Sequence, residues 1–162
     1  MGKTEEKLKE MGLVLPTPPA PAGSYIPMST TYIDDDIGTA YISGQIPLLD
    51  GKVVYTGQVS DDNLDEAKSA AKLSLLNILS QLEAGLHHRY LDLDSVKSAS
   101  MLSGFVNSAP GFSNQHKVMD AASNLLFEIL GDRGRHARMA VGVSGLPLNA
   151  MVEISAVVEI SL

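Results

Sequence analysis

Between Val152 and Ile160 an apolar side chain recurs at every second residue: Val152, Ile154, Ala156, Val158 and Ile160. A period of two places them on one face of a β-strand and leaves Glu153, Ser155, Glu159 and Ser161 on the other. Such a strand cannot stand alone. Its apolar face needs a second layer, and the chain supplies two candidates with helical periodicity. In 62–86 the stripe is Leu64, Ala67, Ala71, Leu75, Ile78, Leu79, Leu82 and Leu86, with Lys68, Lys72, Gln81 and Glu83 largely off it. Asp62 or Asn63 can cap this helix, and Asp65 and Glu66 suit the positive end of its dipole. In 114–130 the stripe is Val118, Ala121, Ala122, Leu125, Leu126 and Ile129, and Gly131 stops the helix.

The segments between read as strands and turns. Residues 25–32 run into the acidic turn Asp34-Asp35-Asp36, and 39–45 alternate with Ala40, Ile42 and Gly44 on one face. Asp50-Gly51 is a hairpin signal joining 46–49 to 53–56. A further strand is expected at 96–106, and two close the chain at 137–143 and 150–162. The order β-β-β-α-β-α-β-β predicts an α+β fold, a mixed sheet with both helices packed on one face. Ahead of it, 4–11 can form a short charged helix. Pro16, Pro18, Pro19 and Pro21 then fix 15–23 as an extended arm, read as a strap over the domain surface. The expected division is therefore 1–23, helix and arm, and 24–162, a single domain.

Composition removes several functions. With no cysteine, disulfides, thiolate nucleophiles and Cys-based zinc sites are excluded. His87, His88, His116 and His136 show no helical ligand spacing, so no metal is expected. Twelve basic residues stand against nineteen acidic ones, a net charge of −7, which disfavours a phosphate backbone. The one basic knot, Arg133, Arg135, His136 and Arg138, is too short for a nucleic-acid groove. No apolar run reaches membrane-spanning length, and the cytoplasm is the expected location. Gly142-Val143-Ser144-Gly145 is not a Gly-x-Ser-x-Gly elbow, so Ser144 is no hydrolase nucleophile.

In 137–143, Met139, Val141 and Val143 are assigned to the core face. That turns Arg138, Ala140 and Gly142 to the opposite face, the one carrying Glu153. Two small residues would leave room beside the guanidinium. A subunit interface would cover this face, where Val157 also lies, and enclose a pocket at Arg138. A solvated charged pair is the plainer alternative, and the pattern alone leaves both open.

Three stretches together resemble the RidA/YjgF family: Arg138–Pro147 followed by Val152-Glu153-Ile154, the early strand Tyr41-Ile-Ser-Gly-Gln-Ile-Pro47, and Phe105-Val106-Asn107 with Phe112. The resemblance covers about Tyr25 to the C-terminus. It implies a chorismate-mutase-like fold and a homotrimer with clefts between subunits. Deaminating members hydrolyse 2-imino acids to 2-keto acids and ammonia without cofactor or metal. Position by position, Arg138 matches the arginine that binds the substrate carboxylate, and Glu153 the glutamate that positions or activates water. Tyr25 matches a pocket-lining tyrosine, Ser43-Gly44 a cleft segment, and Ala140 a position whose backbone touches the ligand. Asp120 stands where many family deaminases carry Asn. The partners implied are a small imino or keto acid and further copies of the chain. A non-catalytic ligand-binding trimer is the alternative, and the ribonuclease or translation-inhibitor label of some relatives ranks last.

Overall fold

The computed structural model describes residues 2–21 and 23–162; of the proline arm, Ala22 lies outside the described residues. In chain order the elements are α1 (Lys3–Glu10), β1 (Met28–Tyr32), β2 (Ile37–Gln45), β3 (Leu48–Leu49), β4 (Lys52–Val53), α2 (Leu64–His87), β5 (Val96–Asn107), α3 (Gln115–Leu130), β6 (Ala137–Val143) and β7 (Val152–Ser161). The five long strands form one mixed sheet in the order β1-β2-β7-β5-β6, and β6 joins it in parallel through β5. The hairpin β3–β4 stands apart and turns at Asp50 and Gly51, both at positive φ. That is the backbone an Asp-Gly turn favours.

Helices α2 and α3 cover one face of the sheet, as the two stripes require. Leu75, Ile78, Leu79, Leu82 and Leu86 of α2 meet Val118, Ala122, Leu126 and Ile129 of α3 and Ile154, Ala156, Val158 and Ile160 of β7 in a single apolar cluster. Asn63 holds the N-cap position of α2, one of the two expected, but makes no side-chain cap hydrogen bond to it. A short 3₁₀ turn, Asp61–Asn63, precedes α2, and Ser60 caps it: its hydroxyl accepts from the Asp62 N–H, while Asn63 Oδ1 accepts from the Ser60 N–H.

The N-terminal helix shares this core. Leu8 of α1 is buried in the same cluster, and α1 is pinned at its N-terminus by Asp94. The Asp94 carboxylate accepts from the Lys3 N–H at 2.6 Å, the Thr4 N–H at 2.8 Å and the Thr4 hydroxyl at 2.6 Å. A carboxylate facing the first amides of a helix complements both the unpaired donors and the dipole. The Thr4 hydroxyl, the two amides and nearby Arg133 hold the Asp94 carboxyl below its usual range.

The arm that follows is held to α2. Ser80 Oγ donates to the Pro16 carbonyl and Gln81 Nε2 to the Pro19 carbonyl, both at 2.6 Å. Gln81, expected off the apolar stripe, is buried because the arm lies over it. Among the described residues, no helix is long and apolar enough to cross a membrane.

Among the described residues, no layer covers the second side of the sheet. Residue pairing fixes which side chains lie there. Phe105 of β5 stands opposite Glu153 of β7 and Val141 of β6, so the three share a face. Leu102, buried in the core, stands opposite Arg138. Leu102 and Phe105 are three residues apart on one strand and must face opposite ways. Arg138 therefore lies on the helix-covered side, with Ala140 and Gly142, and Met139 and Val141 face the open side with Glu153.

This reverses the assignment made from the β6 sequence, for a packing reason. Ala140 packs against the core beside Gly104, where an added Cβ would meet Met119 of α3. At Gly142 a Cβ would meet Gln115 and Ser108. The small residues admit α3 and its entry loop rather than a ligand. Met139 and Val141, each 39 % exposed, are the ones left uncovered.

Candidate functional site

Four of the seven residues singled out in the sequence meet in one cavity of about 680 Å³ beside β2: Tyr25, Ser43, Gly44 and Glu153. The local backbone explains how. The β2–β7 register slips between Ile42 and Gln45, a bulge that turns Gly44 away from the face of Ala40 and Ile42, where simple alternation put it. Gln45 is buried and holds this bulge, its Nε2 donating to the Ser43 and Gly44 carbonyls at 3.1 Å each. Ser43 is tied to the incoming chain. Its N–H donates to the Pro27 carbonyl at 2.9 Å and its hydroxyl to the Ile26 carbonyl at 2.8 Å.

The bulge brings Gly44 against Glu153 so closely that an added Cβ would overlap the carboxylate. Glu153 is the only charged side chain among the described residues lining the cavity. Burial pushes its carboxyl above the usual carboxylate range. A half-buried carboxyl with a raised pKa, at a cavity wall, is suited to taking up and returning a proton.

Arg138 and Asp120 lie elsewhere. Arg138 Nη1 donates to Asp120 Oδ1 at 2.9 Å and to Ser123 Oγ at 3.0 Å, both on α3. Its Nη2 donates to the His116 carbonyl at 3.4 Å. Ser123 Oγ is also 3.0 Å from His136 Nε2, and His136 Nδ1 is 2.6 Å from the Gly134 carbonyl oxygen. A carbonyl can only accept, so Nδ1 carries a proton and donates to Gly134, and Nε2 is paired with the Ser123 hydroxyl. The guanidinium thus sits in an organised polar cluster on the outer strand β6, and Ala140, two residues on, packs toward α3. Within one chain Arg138 and Glu153 are on opposite faces and do not meet.

The remaining arginines of the basic knot are separately engaged. Arg133 donates to the Asp94 and Val96 carbonyls and to the Thr4 hydroxyl. Arg135 pairs with Asp132 at 3.0 Å and stacks 4.7 Å over the Phe127 ring. They do not converge on a common groove. No cluster of three metal-ligating side chains occurs among the described residues.

Three groups in or near these sites carried no signal recognised in the sequence. The proline arm, read as a strap, lines the cavity through Pro19, Ala20 and Pro21. Gln81 lines it from α2. Leu148, in the β6–β7 connection, lines it with 68 % of its surface exposed and a left-handed backbone, φ 54°. A polar residue flanking a helical stripe, as Gln81 does, was the one available hint.

Comparison with known proteins agrees with this architecture. Residues 5–160 match the family described as "YjgF/chorismate_mutase-like, putative endoribonuclease". This chain belongs to the YjgF family. It is 38 % identical over 162 residues to Protein TCP17 of Trypanosoma cruzi, covering 99 % of this chain and 96 % of the relative. The crystal structure of Atu1372, a protein of unknown function from Agrobacterium tumefaciens, superposes with a TM-score of 0.85 at 43 % identity, covering 98 % of this chain and 92 % of that one. An endoribonuclease-labelled protein from Shewanella oneidensis MR-1 gives 0.89 at 32 % identity, covering 98 % and 100 %. The match begins within α1, so the family region takes in the N-terminal helix as well as the sheet.

Proposed function

We propose that this YjgF-family protein hydrolyses 2-imino acids to 2-keto acids and ammonia, in a cleft that joins the Glu153 cavity of one subunit to the Arg138 cluster of the next. The observation that carries the reading is Glu153: a single carboxyl, raised by burial, seated on Gly44 in a cavity otherwise free of charge among its described lining.

The chemistry needs little more. An imine carbon is electrophilic, and a water beside it reacts once its proton has somewhere to go. Glu153 takes that proton as the new C–O bond forms, and the C=N electron pair moves to nitrogen, which is protonated. From the resulting carbinolamine Glu153 returns a proton to nitrogen, the C–N bond breaks and ammonia leaves, while the hydroxyl gives up its proton to Glu153 as the oxygen lone pair forms the keto group; release of that proton to water resets the carboxylate. The sum is one water consumed for each ammonia released. Arg138 supplies the anchor: a planar guanidinium holds a carboxylate through two parallel N–H···O bonds and fixes the imine carbon relative to Glu153.

Assembly as a homotrimer accounts for the uncovered sheet face. Phe105, Met139, Val141 and Val157 lie on the same side as Glu153 and need a partner surface. A second copy packed there also resolves the separation of Arg138 from Glu153, because the two would come from different chains. The opposing reading, a non-catalytic ligand-binding trimer, draws on one observation: Asp120 already occupies Arg138. The ribonuclease label of relatives finds less support in a chain of net charge −7 whose arginines are engaged one by one.

The test is imine decay. Imino acids are generated in situ by an amino-acid oxidase, and their disappearance is followed with wild-type protein, Arg138→Ala and Glu153→Gln. Acceleration lost in both variants supports the deaminase. No acceleration of any imine by a folded wild-type protein would overturn it in favour of ligand binding.

A further inference from the structure

The part of the cleft that one chain supplies is roomy for a two- or three-carbon imino acid, before the next subunit closes it. Pockets of 300–1,000 Å³ ordinarily hold ligands of drug size, and this one has about 680 Å³. Its chemistry is divided. Ser43, Gln45, Gln81 and Tyr25 bring its polar groups beside Glu153, while Pro19, Pro21, Pro27, Ile46, Leu48 and Leu148 make most of the remaining wall aliphatic.

Two of those elements have shapes that core packing does not explain. Leu148 holds a left-handed backbone that a leucine seldom adopts, and its side chain is not buried by doing so. The arm contributes prolines, which keep a rigid extended shape without needing a strand partner. It is fastened to α2 by Ser80 and Gln81 and, at its far end, by α1 on Asp94. Asn77 Nδ2, also on α2, donates to the Ile46 and Leu48 carbonyls at 3.1 and 2.9 Å, fixing a second aliphatic part of the lining to the same helix. Both parts are thus referenced to α2.

We infer that the N-terminal proline arm, with Leu48 and Leu148, forms a side-chain subsite selecting imino acids that carry a large, uncharged apolar group. This deepens the deaminase reading and rests on it for the reaction, though not for the binding preference. With its reacting carbon at Glu153, a substrate would send its side chain along the arm. An acidic side chain would meet the Glu153 charge with no cation among the described lining residues of the same chain, the next subunit's guanidinium being taken by the substrate's own carboxylate. A methyl side chain would leave the aliphatic wall unfilled. Each methylene that such a pocket fills favours the larger substrate by about tenfold or more.

The experiment compares kcat/KM for the imines of leucine, phenylalanine, alanine and aspartate in three proteins. These are the wild type, Ser80→Ala, which unfastens the arm without lining the cavity, and Leu148→Asn, which keeps a residue tolerant of the left-handed backbone. The expected wild-type preference for leucine- and phenylalanine-derived imines over that of alanine is about tenfold or more. It should shrink severalfold in each variant. Hydrolysis of the alanine imine as fast as the large ones would overturn the subsite and leave the deaminase standing. If no imine is hydrolysed, the deaminase fails instead, and the subsite is read from binding of 4-methyl-2-oxopentanoate against pyruvate by calorimetry. Tighter binding of the larger acid, lost in Leu148→Asn, sustains the subsite. Equal or no binding overturns it.

Discussion

Gly44 lies against the carboxylate of Glu153 with no space for a Cβ between them. The contact exists because a bulge in β2, held by Gln45, turns residue 44 onto the face that Glu153 occupies. It gives a side-chain-free surface on which the carboxyl rests, and it makes the position of that carboxyl sensitive to one methyl group.

Gly44→Ala should therefore displace Glu153 while leaving the core, on the other face, intact. A displacement of about 1 Å in a positioned group can lower rate about a hundredfold. We expect a loss of kcat/KM on that scale with an unchanged circular-dichroism spectrum and melting temperature within a few degrees. Wild-type activity in Gly44→Ala would show that the Glu153 position is not critical.

The raised pKa of Glu153 has two consequences of definite sign. As the base, it must be ionised, so the acid limb of the kcat/KM profile should fall above 4.5, the ordinary value for a glutamate. In folding, a carboxyl whose folded pKa is raised holds its proton more tightly when folded. Its contribution is fully present below the ordinary value and is lost as pH rises through the folded one. Glu153→Gln should then be more stable than wild type at neutral pH and lose that advantage on acidification. Denaturant melts of both proteins at several pH values read this directly.

Asp120 pairs with Arg138, and in the proposed site it competes with the substrate carboxylate for that guanidinium. The pair is partly exposed, Arg138 by 23 % and Asp120 by 54 %, so their attraction is modest, about 0.2–1 kcal/mol. Asp120→Asn should lower KM up to about fivefold with little change in kcat. A raised KM would mean that Asp120 instead holds Arg138 in its working orientation.

The uncovered sheet face offers a test of assembly that leaves the active groups alone. Val141→Asp places a charge beside Phe105 and Met139, where a second copy would bury it. Light scattering after gel filtration should show a trimer for the wild type and smaller species for the variant. A trimer unaffected by Val141→Asp would move the interface elsewhere.

The elements themselves were legible. The segment expected at 137–143 coincides with β6, and the helix expected at 114–130 differs from α3 by one residue. Which face of β6 is covered was not. Its sequence alternates small and large residues, and period two gives two faces without saying which one meets α3. On an outer strand with apolar residues on its open side, bulk is a poor guide, because the covering surface comes from outside the chain. Gly44 was misassigned for a different reason, since a bulge shifts parity by one and leaves no mark in composition. The arm's extended shape could be read from its prolines. Its position over Gln81 depends on hydrogen bonds more than sixty residues apart in sequence, and local pattern does not encode these.

The most direct test of a site shared between chains is complementation. Arg138→Ala and Glu153→Gln are each expected to be inactive, one lacking the anchor and the other the base. Mixed by unfolding and refolding together, they should form some clefts that combine the intact Glu153 of one chain with the intact Arg138 of another. Random assembly of a cyclic trimer predicts recovery of about a quarter of the wild-type imine-hydrolysis rate. A mixture that remains inactive, although mass spectrometry shows hybrid trimers, would contradict the shared cleft.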